Sequence, residues 1–191
     1  MEPVLIQDNE YNREDFRAQP LKKGEYEDCI FTGCDLSGTD LSMIKFVGCT
    51  FKDCNLSLAK LVQTSFRDVC FTGCKMMGLH FDACYEFGLD FLLDNCILDH
   101  SSFYKTNLKK MVIKNCHMHE VDFAECDLGQ AVLDNCDLQG ATFDNTNLEK
   151  ANLKTAYDYS IDPDKNKIKK AKFSVQGIAG LLDKYDIDIS M

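Results

Sequence analysis

Large apolar residues recur every five positions along most of this chain, and that period limits its fold more than any other feature. Between residues 116 and 153 the large residues are Met118, Phe123, Leu128, Leu133, Leu138, Phe143, Leu148 and Leu153. Five matches neither the 3.6-residue period of an α-helix nor the two-residue period of a β-strand. A smaller residue comes two positions earlier, as Cys126 does before Leu128. The pattern predicts a repeat architecture whose units each turn one large and one small side chain inward.

The period also shows where the repeat is interrupted. It is faint at Phe16 and Leu21, and from Tyr26 to Phe81 every large position is occupied. Glu86 then breaks the pattern, which resumes at Leu93, twelve residues after Phe81 instead of ten. We therefore predict a two-residue insertion within residues 84–91, forming a bulged corner or a small loop.

The spacing of the cysteines gives the number of units in each coil. Six of them are separated by 20, 20, 22, 20 and 20 residues, and the 22 spans the insertion: Cys34, Cys54, Cys74, Cys96, Cys116 and Cys136. Four units per coil would place all six in one column. The sequence therefore predicts an all-β solenoid with four short faces per coil and successive coils about 4.8 Å apart. Residues 16–153 would supply about seven coils.

The two ends of the chain depart from the repeat. We expect residues 1–15 to be a lead-in, residues 16–173 to be the solenoid with a loop at about 156–166, and residues 174–191 to be a separate closing segment. Helical spacing predicts a short helix from about 175 to 185 and then a short extended tail, Ile187–Ile189; the residues concerned are Val175, Ile178, Leu181 and Leu182. An open solenoid end exposes strand edges, so this segment should cover them within one chain or pair two chains into a dimer.

The five-residue units resemble those of the pentapeptide repeat family. Its pattern of small residue, Asp or Asn, Leu or Phe, and two small or polar residues is present as CDLSG (34–38), TDLSM (39–43), VDFAE (121–125) and CDLQG (136–140). This resemblance covers about 140 residues. It implies a right-handed quadrilateral β-helix, and the handedness rests on the resemblance alone.

The closing segment resembles one branch of that family. SIDPDKNKIKKAKFSVQGIAGLL followed by KYDIDI is similar to the end of the Qnr quinolone-resistance proteins and the microcin-immunity proteins. The matching positions are Gln176, Leu181, Leu182 and Ile187–Ile189. The resemblance implies a rod-like dimer that interacts with DNA gyrase or topoisomerase IV and relieves their poisoning. Those relatives often carry longer projecting loops, whereas this chain has only the two-residue insertion.

The charge of the chain suits a basic partner better than a nucleic acid. There are 31 acidic and 21 basic residues, a net charge of −10, and residues 115–147 contain seven acids and no Lys or Arg. A rod of this sign could occupy a DNA groove on a protein. The candidate contact residues are Glu120, Asp122, Glu125, Asp127, Asp134, Asp137 and Asp144. Two alternatives remain open, namely an ordinary solvated surface and a rigid scaffold or adaptor whose protein partner is unrelated to DNA.

The sequence predicts neither catalysis nor a cofactor. Ten of the eleven cysteines occupy small inward positions, where they act as small hydrophobic residues, and only Cys70 lies outside the pattern. We therefore expect no disulfides and no metal site, with His117 and His119 at the surface. Phosphate-binding and dinucleotide-binding motifs are missing from the sequence. No uncharged run exceeds the ten residues 173–182, so we expect a cytoplasmic protein without a membrane span.

Overall fold

The computed structural model describes residues 4–87 and 89–188, and it shows a right-handed quadrilateral β-helix of about eight coils. We number the four faces from the coil that begins at Phe31: Phe31 lies on the first face, Leu36 on the second, Leu41 on the third and Phe46 on the fourth. All strand pairs are parallel, and neighbouring strands are 20 residues apart except across the insertion.

Two of the four faces carry most of the regular strands. The fourth face holds a four-stranded sheet in the order β1-β3-β5-β7, and the first face holds a nine-stranded sheet in the order β13-β12-β11-β10-β9-β8-β6-β4-β2. The second and third faces are joined by single bridges such as Asp35↔Asn55 and Asp40↔Lys60. The strands are β1 Val4–Gln7, β2 Glu10–Asn12, β3 Gly24–Glu27, β4 Ile30–Thr32, β5 Lys45–Val47, β6 Thr50–Lys52, β7 Ser65–Arg67, β8 Val69–Thr72, β9 Phe91–Asp94, β10 Val112–Lys114, β11 Val132–Asp134, β12 Asn152–Leu153 and β13 Lys172–Phe173.

A turn after each large residue explains the period of five. In one such turn the Thr39 N–H donates to the Leu36 carbonyl oxygen at 3.2 Å, and Gly38, between them, has φ +64°. Nearly every unit repeats this left-handed residue two positions after its large residue. Because Gly, Asn and Asp tolerate positive φ best, they recur at the last position of the unit.

The core consists of columns of like residues, as the spacing predicted. The rings of Phe31 and Phe51 are stacked with centroids 4.5 Å apart, and Phe71 continues the column 5.0 Å beyond Phe51. A second column runs through Phe81, Phe103, Phe123 and Phe143. These rings fill the interior of the rod, so each coil closes around its own side chains.

The burial of the cysteines agrees with the sequence prediction. Ten are buried, all eleven are free thiols, and Cys70 is the partly exposed one. Cys54 Sγ lies 3.3 Å from the carbonyl oxygens of Phe31 and Lys52, so the thiol can donate a weak hydrogen bond to a main-chain carbonyl. Burial raises the pKa of Cys49 to about 12 and that of Cys136 to about 11. Thiols held neutral in this way are poor nucleophiles and poor metal ligands.

The predicted insertion is a loop that interrupts the fourth face. A 3-10 helix, Phe81–Ala83, precedes it, and β9 begins at Phe91. The Tyr85 N–H donates to the Thr64 carbonyl and the Asp90 N–H donates to the Phe66 carbonyl, both at 2.8 Å. Of the residues between these two amides, Glu86, Phe87 and Leu89 belong to no strand, and the sheet of the fourth face ends at β7.

The solenoid begins earlier than the sequence indicated. Within the expected lead-in, Val4–Gln7 and Glu10–Asn12 pair with Gly24–Glu27 and Ile30–Thr32. The Tyr11 ring stacks on Phe31 at 4.7 Å and extends the aromatic column. Ile6 and Tyr11 keep the five-residue register with Phe16, but polar residues fill the small positions of these first units, at Asn9 and Glu14, so the repeat is hard to recognise there.

The closing segment is helical but not α-helical. Two 3-10 helices, Gln176–Leu181 and Asp183–Tyr185, replace the single predicted helix over 175–185. The Ile161 N–H donates to the Gly180 carbonyl at 2.8 Å, and a Cβ at Gly180 would collide with the Tyr159 main chain. Such close packing within one chain, together with glycine's low helix propensity, favours short tight turns. Of the predicted tail, Ile187 is exposed and belongs to no strand, and Ile189 lies outside the described residues.

Among the described residues there is no helix with the length and apolar character needed to cross a membrane.

Candidate functional site

The seven predicted contact residues form a band around the rod instead of a stripe along it. We call residues 115–147 the acidic band. Single bridges place Asp122 on the third face, Asp127 on the fourth and Asp137 on the second. Asp134 is the last residue of β11 on the first face, and the other three members follow large residues at the corners: Glu120, Glu125 and Asp144. The structure therefore does not gather these acids onto one face.

Several carboxylates of the band also stabilise turns. Asp122 accepts the Ala124 N–H at 2.8 Å, and Asp127 accepts the Gly129 N–H at 2.9 Å. Side chains of this kind mimic a main-chain turn, which explains the frequent Asp or Asn before each large residue. The acids of the band consequently combine a structural role with their charge.

Two of the corner acids contact side chains of the preceding coil. Glu125 accepts from the Tyr104 hydroxyl at 2.9 Å and lies 3.5 Å from Lys105 Nζ. Glu120 lies 3.3 Å from His100 Nδ1. These contacts are exposed, so each contributes little to stability. Asp144 is exposed as well.

The density of charge in the band is comparable to that of duplex DNA. Its 33 residues contain seven acids and no Lys or Arg, and with 20 residues per coil they span about 8 Å of the axis. The band therefore carries about one negative charge per 1.1 Å, against one per about 1.7 Å for B-DNA. Lysines flank the acidic band on both sides: Lys109, Lys110 and Lys114 precede it, and the lysines from Lys165 to Lys172 follow it.

A group of exposed aromatic side chains lies at the insertion. Tyr85 and Phe87 are 42% and 71% exposed, and Tyr104 is 37% exposed. With Leu89 they line an open depression of about 530 Å³. Aromatic residues are enriched at protein interfaces, so this depression is a second candidate contact region. The sequence predicted the loop here but not the exposed rings.

The structure places Asp137, which the sequence presented only as a contact acid, beside the two surface histidines His117 and His119. His119 Nε2 lies 2.8 Å from Asp137 Oδ2, and His117 Nδ1 lies 3.9 Å from the same oxygen. Asp137 follows His117 by 20 residues, so it occupies the next coil directly beside it. Applying the 20-residue period to polar positions as well as to the core would have found this cluster.

The four residues predicted to form a cap or dimer contact divide into two pairs. Val175 and Ile178 are 81% and 46% exposed, whereas Leu181 and Leu182 are half-buried. Leu181 packs against the hydrophobic core at the end of the solenoid. Lys184 Nζ contacts Asp162 at 2.8 Å and also contacts Asp164, which ties the segment to the loop before it.

Comparison with known proteins identifies the family. A family model described as the pentapeptide repeat region matches residues 25–85 and 90–156, which is well over half of the chain. The protein therefore belongs to the pentapeptide repeat family. The gap between the two matches falls in the insertion. No curated protein matches the sequence.

Solved structures of family members share this fold. A trypsin-treated variant of QnrB1, a plasmid-mediated fluoroquinolone resistance protein, is 21% identical over 98% of both chains with a TM-score of 0.50. HetL of the cyanobacterium Nostoc sp. strain PCC 7120, a pentapeptide repeat protein involved in regulating heterocyst differentiation, is 16% identical. That match covers 91% of this chain and 88% of HetL, again with a TM-score of 0.50. At these identities the similarity establishes the fold only.

Proposed function

We propose that this protein is a non-catalytic rod that binds a basic, DNA-binding protein surface through the acidic band. The observation that carries the proposal is the charge density of the band, about one negative charge per 1.1 Å around all four faces. Duplex DNA also displays its phosphates around its whole circumference. A basic groove shaped for DNA would therefore meet negative charge at any rotation of the rod about its axis.

The finer form of the proposal names DNA gyrase or topoisomerase IV as the partner. Its support is the resemblance of the closing segment to that of the Qnr proteins, at Gln176, Leu181 and Leu182. Val175 and Ile178 remain exposed on this segment and could pair two rods end to end. In this form the protein acts in the cytoplasm, where those enzymes work, and relieves their poisoning by quinolones.

The test is a gyrase supercoiling assay, with and without ciprofloxacin, in which the purified protein is titrated. A band variant carries Glu120→Gln, Glu125→Gln, Asp134→Asn and Asp144→Asn, which remove four charges and leave the turn-closing Asp122 and Asp127 in place. A control variant removes four acids outside the band through Glu10→Gln, Glu14→Gln, Glu27→Gln and Asp68→Asn. Both variants have the same net charge, so a difference between them reports the location of the charge.

We expect the wild type and the control variant to alter supercoiling or to rescue it from ciprofloxacin, and the band variant to lose at least about tenfold in potency. Equal potency of the two variants would contradict a contact through the band. No effect of the wild type at micromolar concentration would remove gyrase as the partner, and topoisomerase IV is tested in the same way by decatenation.

A scaffold or adaptor unrelated to DNA is the second candidate, and the exposed aromatic group at the insertion favours it. Phe87→Ser removes the most exposed ring of that group. If this variant loses the effect on the topoisomerase and the band variant keeps it, the insertion is the contact region. If neither topoisomerase responds to the wild type, the adaptor function becomes the leading one.

A further inference from the structure

His117, His119 and Asp137 form a compact group of donors on the second face of the rod. Single bridges Ile97↔His117, His117↔Asp137 and Asp137↔Tyr157 run along this face, so His117 and Asp137 lie on consecutive coils. His119 follows His117 by two residues, on the same side of its coil. The group therefore spans two coils without requiring either to leave the ladder.

The donor atoms are close enough to share one ion. One nitrogen from each histidine and one Asp137 oxygen all lie within 4.8 Å of one another. A tetrahedral zinc ion, with bonds of about 2.0–2.2 Å, needs donors about 3.3 Å apart. The His117 side chain is 56% exposed, so solvent and not packed protein surrounds much of its ring.

His119 Nε2 is shielded from solvent and faces the carboxylate of Asp137. The two atoms are 2.8 Å apart, in an orientation that does not make a well-formed hydrogen bond. The His119 main-chain N–H donates to Asp99 Oδ1 at 3.0 Å, so the residue is held in place from the other side.

Negative charge around the group favours a cation. Asp137 Oδ2 lies 2.8 Å from the His119 ring, and Asp99 Oδ1 accepts the His119 main-chain N–H at 3.0 Å, so two carboxylates lie beside the histidines. In the described part of the chain, this is the group of histidine, cysteine, aspartate and glutamate side chains whose geometry fits a metal ion.

We propose that His117, His119 and Asp137 bind a divalent first-row transition-metal ion, with Zn²⁺ as the best fit and solvent completing its coordination. Two imidazoles and one carboxylate are donors that suit Zn²⁺, whereas Mg²⁺ and Ca²⁺ prefer oxygen ligands alone. A bound ion would join two coils that the unfolded chain does not hold together, so binding would stabilise the native rod. The group lies within the acidic band, but its proposal needs no protein partner and is tested without one.

The test uses the full chain without an affinity tag, titrated with Zn²⁺ by calorimetry and with Co²⁺ by visible absorption. The variants are His117→Gln, His119→Gln and Asp137→Asn. The matched control is His100→Gln, which removes another exposed histidine beside an acid, the His100–Glu120 pair. Circular dichroism verifies the fold of each variant, and His117→Gln, at the most exposed ligand, is the change least able to disturb it.

We expect one equivalent of Zn²⁺ to bind and to raise the thermal midpoint of the wild type and of His100→Gln. Each of the other three variants should bind at least about tenfold more weakly, since even loss of an outer-shell partner costs 10–100-fold in affinity. Unchanged binding in His117→Gln and His119→Gln would overturn the proposal. Intense near-ultraviolet charge-transfer bands of Co²⁺ would also overturn it, because they would place the ion on a cysteine such as the partly exposed Cys70.

Discussion

The ring of Phe51 lies parallel to that of Phe31, with an interplanar angle of 5° and centroids 4.5 Å apart, although 20 residues separate them in the chain. One full coil brings the chain back to the same point of its cross-section, one strand spacing further along. The stacking of like rings is therefore a direct consequence of four five-residue units per coil.

Truncation of this column should be costly. Phe51 is fully buried between Phe31 and Phe71, so Phe51→Ala leaves a cavity that the neighbouring coils cannot fill. We expect a loss of about 3–5 kcal/mol in the free energy of unfolding. Urea unfolding followed by circular dichroism measures it, with Phe51→Leu as a control expected to lose much less. Equal losses for the two variants would show that cavity volume is not the cause.

A substitution at a corner should stabilise the rod. Leu58 has φ +59° and a side chain 69% exposed, while Gly38 and Gly78 hold the same corner position in the adjacent coils. A left-handed backbone conformation costs a non-glycine residue about 1–2 kcal/mol. Glycine avoids this strain but loses more conformational entropy on folding, which offsets part of the gain. We therefore expect Leu58→Gly to gain about 0.5–1 kcal/mol by urea unfolding. Ser57→Gly, one residue away and not at positive φ, should lose stability, and a gain there would point to some other cause.

The cysteines should differ sharply in reactivity. Cys70 is partly exposed on the outer side of β8, and the other ten thiols are buried. Brief treatment of the native protein with a maleimide should add one label, detected by mass spectrometry, and the Cys70→Ser variant should remain unlabelled. Unfolding in urea should make all eleven cysteines of the wild type available. Several labels on the native protein would show that the coils open far more readily than their packing indicates.

The attachment of the closing segment should weaken in acid. Lys184 lowers the pKa of Asp162 below its ordinary value of 3.8, so the folded state favours the ionised carboxyl. This contribution is present above that value and is lost as the pH falls through the lowered folded pKa. We expect faster amide exchange at Ile161, which donates to the Gly180 carbonyl, as the pH is taken from 5 to 2.5.

The measurement is amide exchange by nuclear magnetic resonance, corrected for the intrinsic rate at each pH. The Val132 amide, which donates to the Met111 carbonyl in the middle of the rod, reports any general unfolding. In Asp162→Asn the exchange at Ile161 should be fast at both pH values. A pH response of the same size in that variant would assign the effect to another group.

Structure is predictable from this sequence where a local rule repeats, and less so where single contacts decide it. The columns of Phe and Cys, the buried state of ten cysteines and the loop near residues 84–91 were all predicted from spacing. The first coil was missed although Ile6 and Tyr11 keep the register, because polar residues such as Asn9 and Glu14 occupy its small positions. The group of His117, His119 and Asp137 was missed because the 20-residue period was applied only to inward residues.

By itself, the sequence determined the cross-section of this protein, because a turn after every fifth residue and an inward pair in every unit are local properties of the chain. Only the tertiary structure decided the ends and the outer surface. The closing segment forms 3-10 helices because Gly180 lies against the Tyr159 main chain, a contact that depends on where the last coil stops. The acids surround the rod because the chain turns at each corner, so its outward-facing positions fall on all four faces in succession. No packing requirement gathers these outward residues on one face.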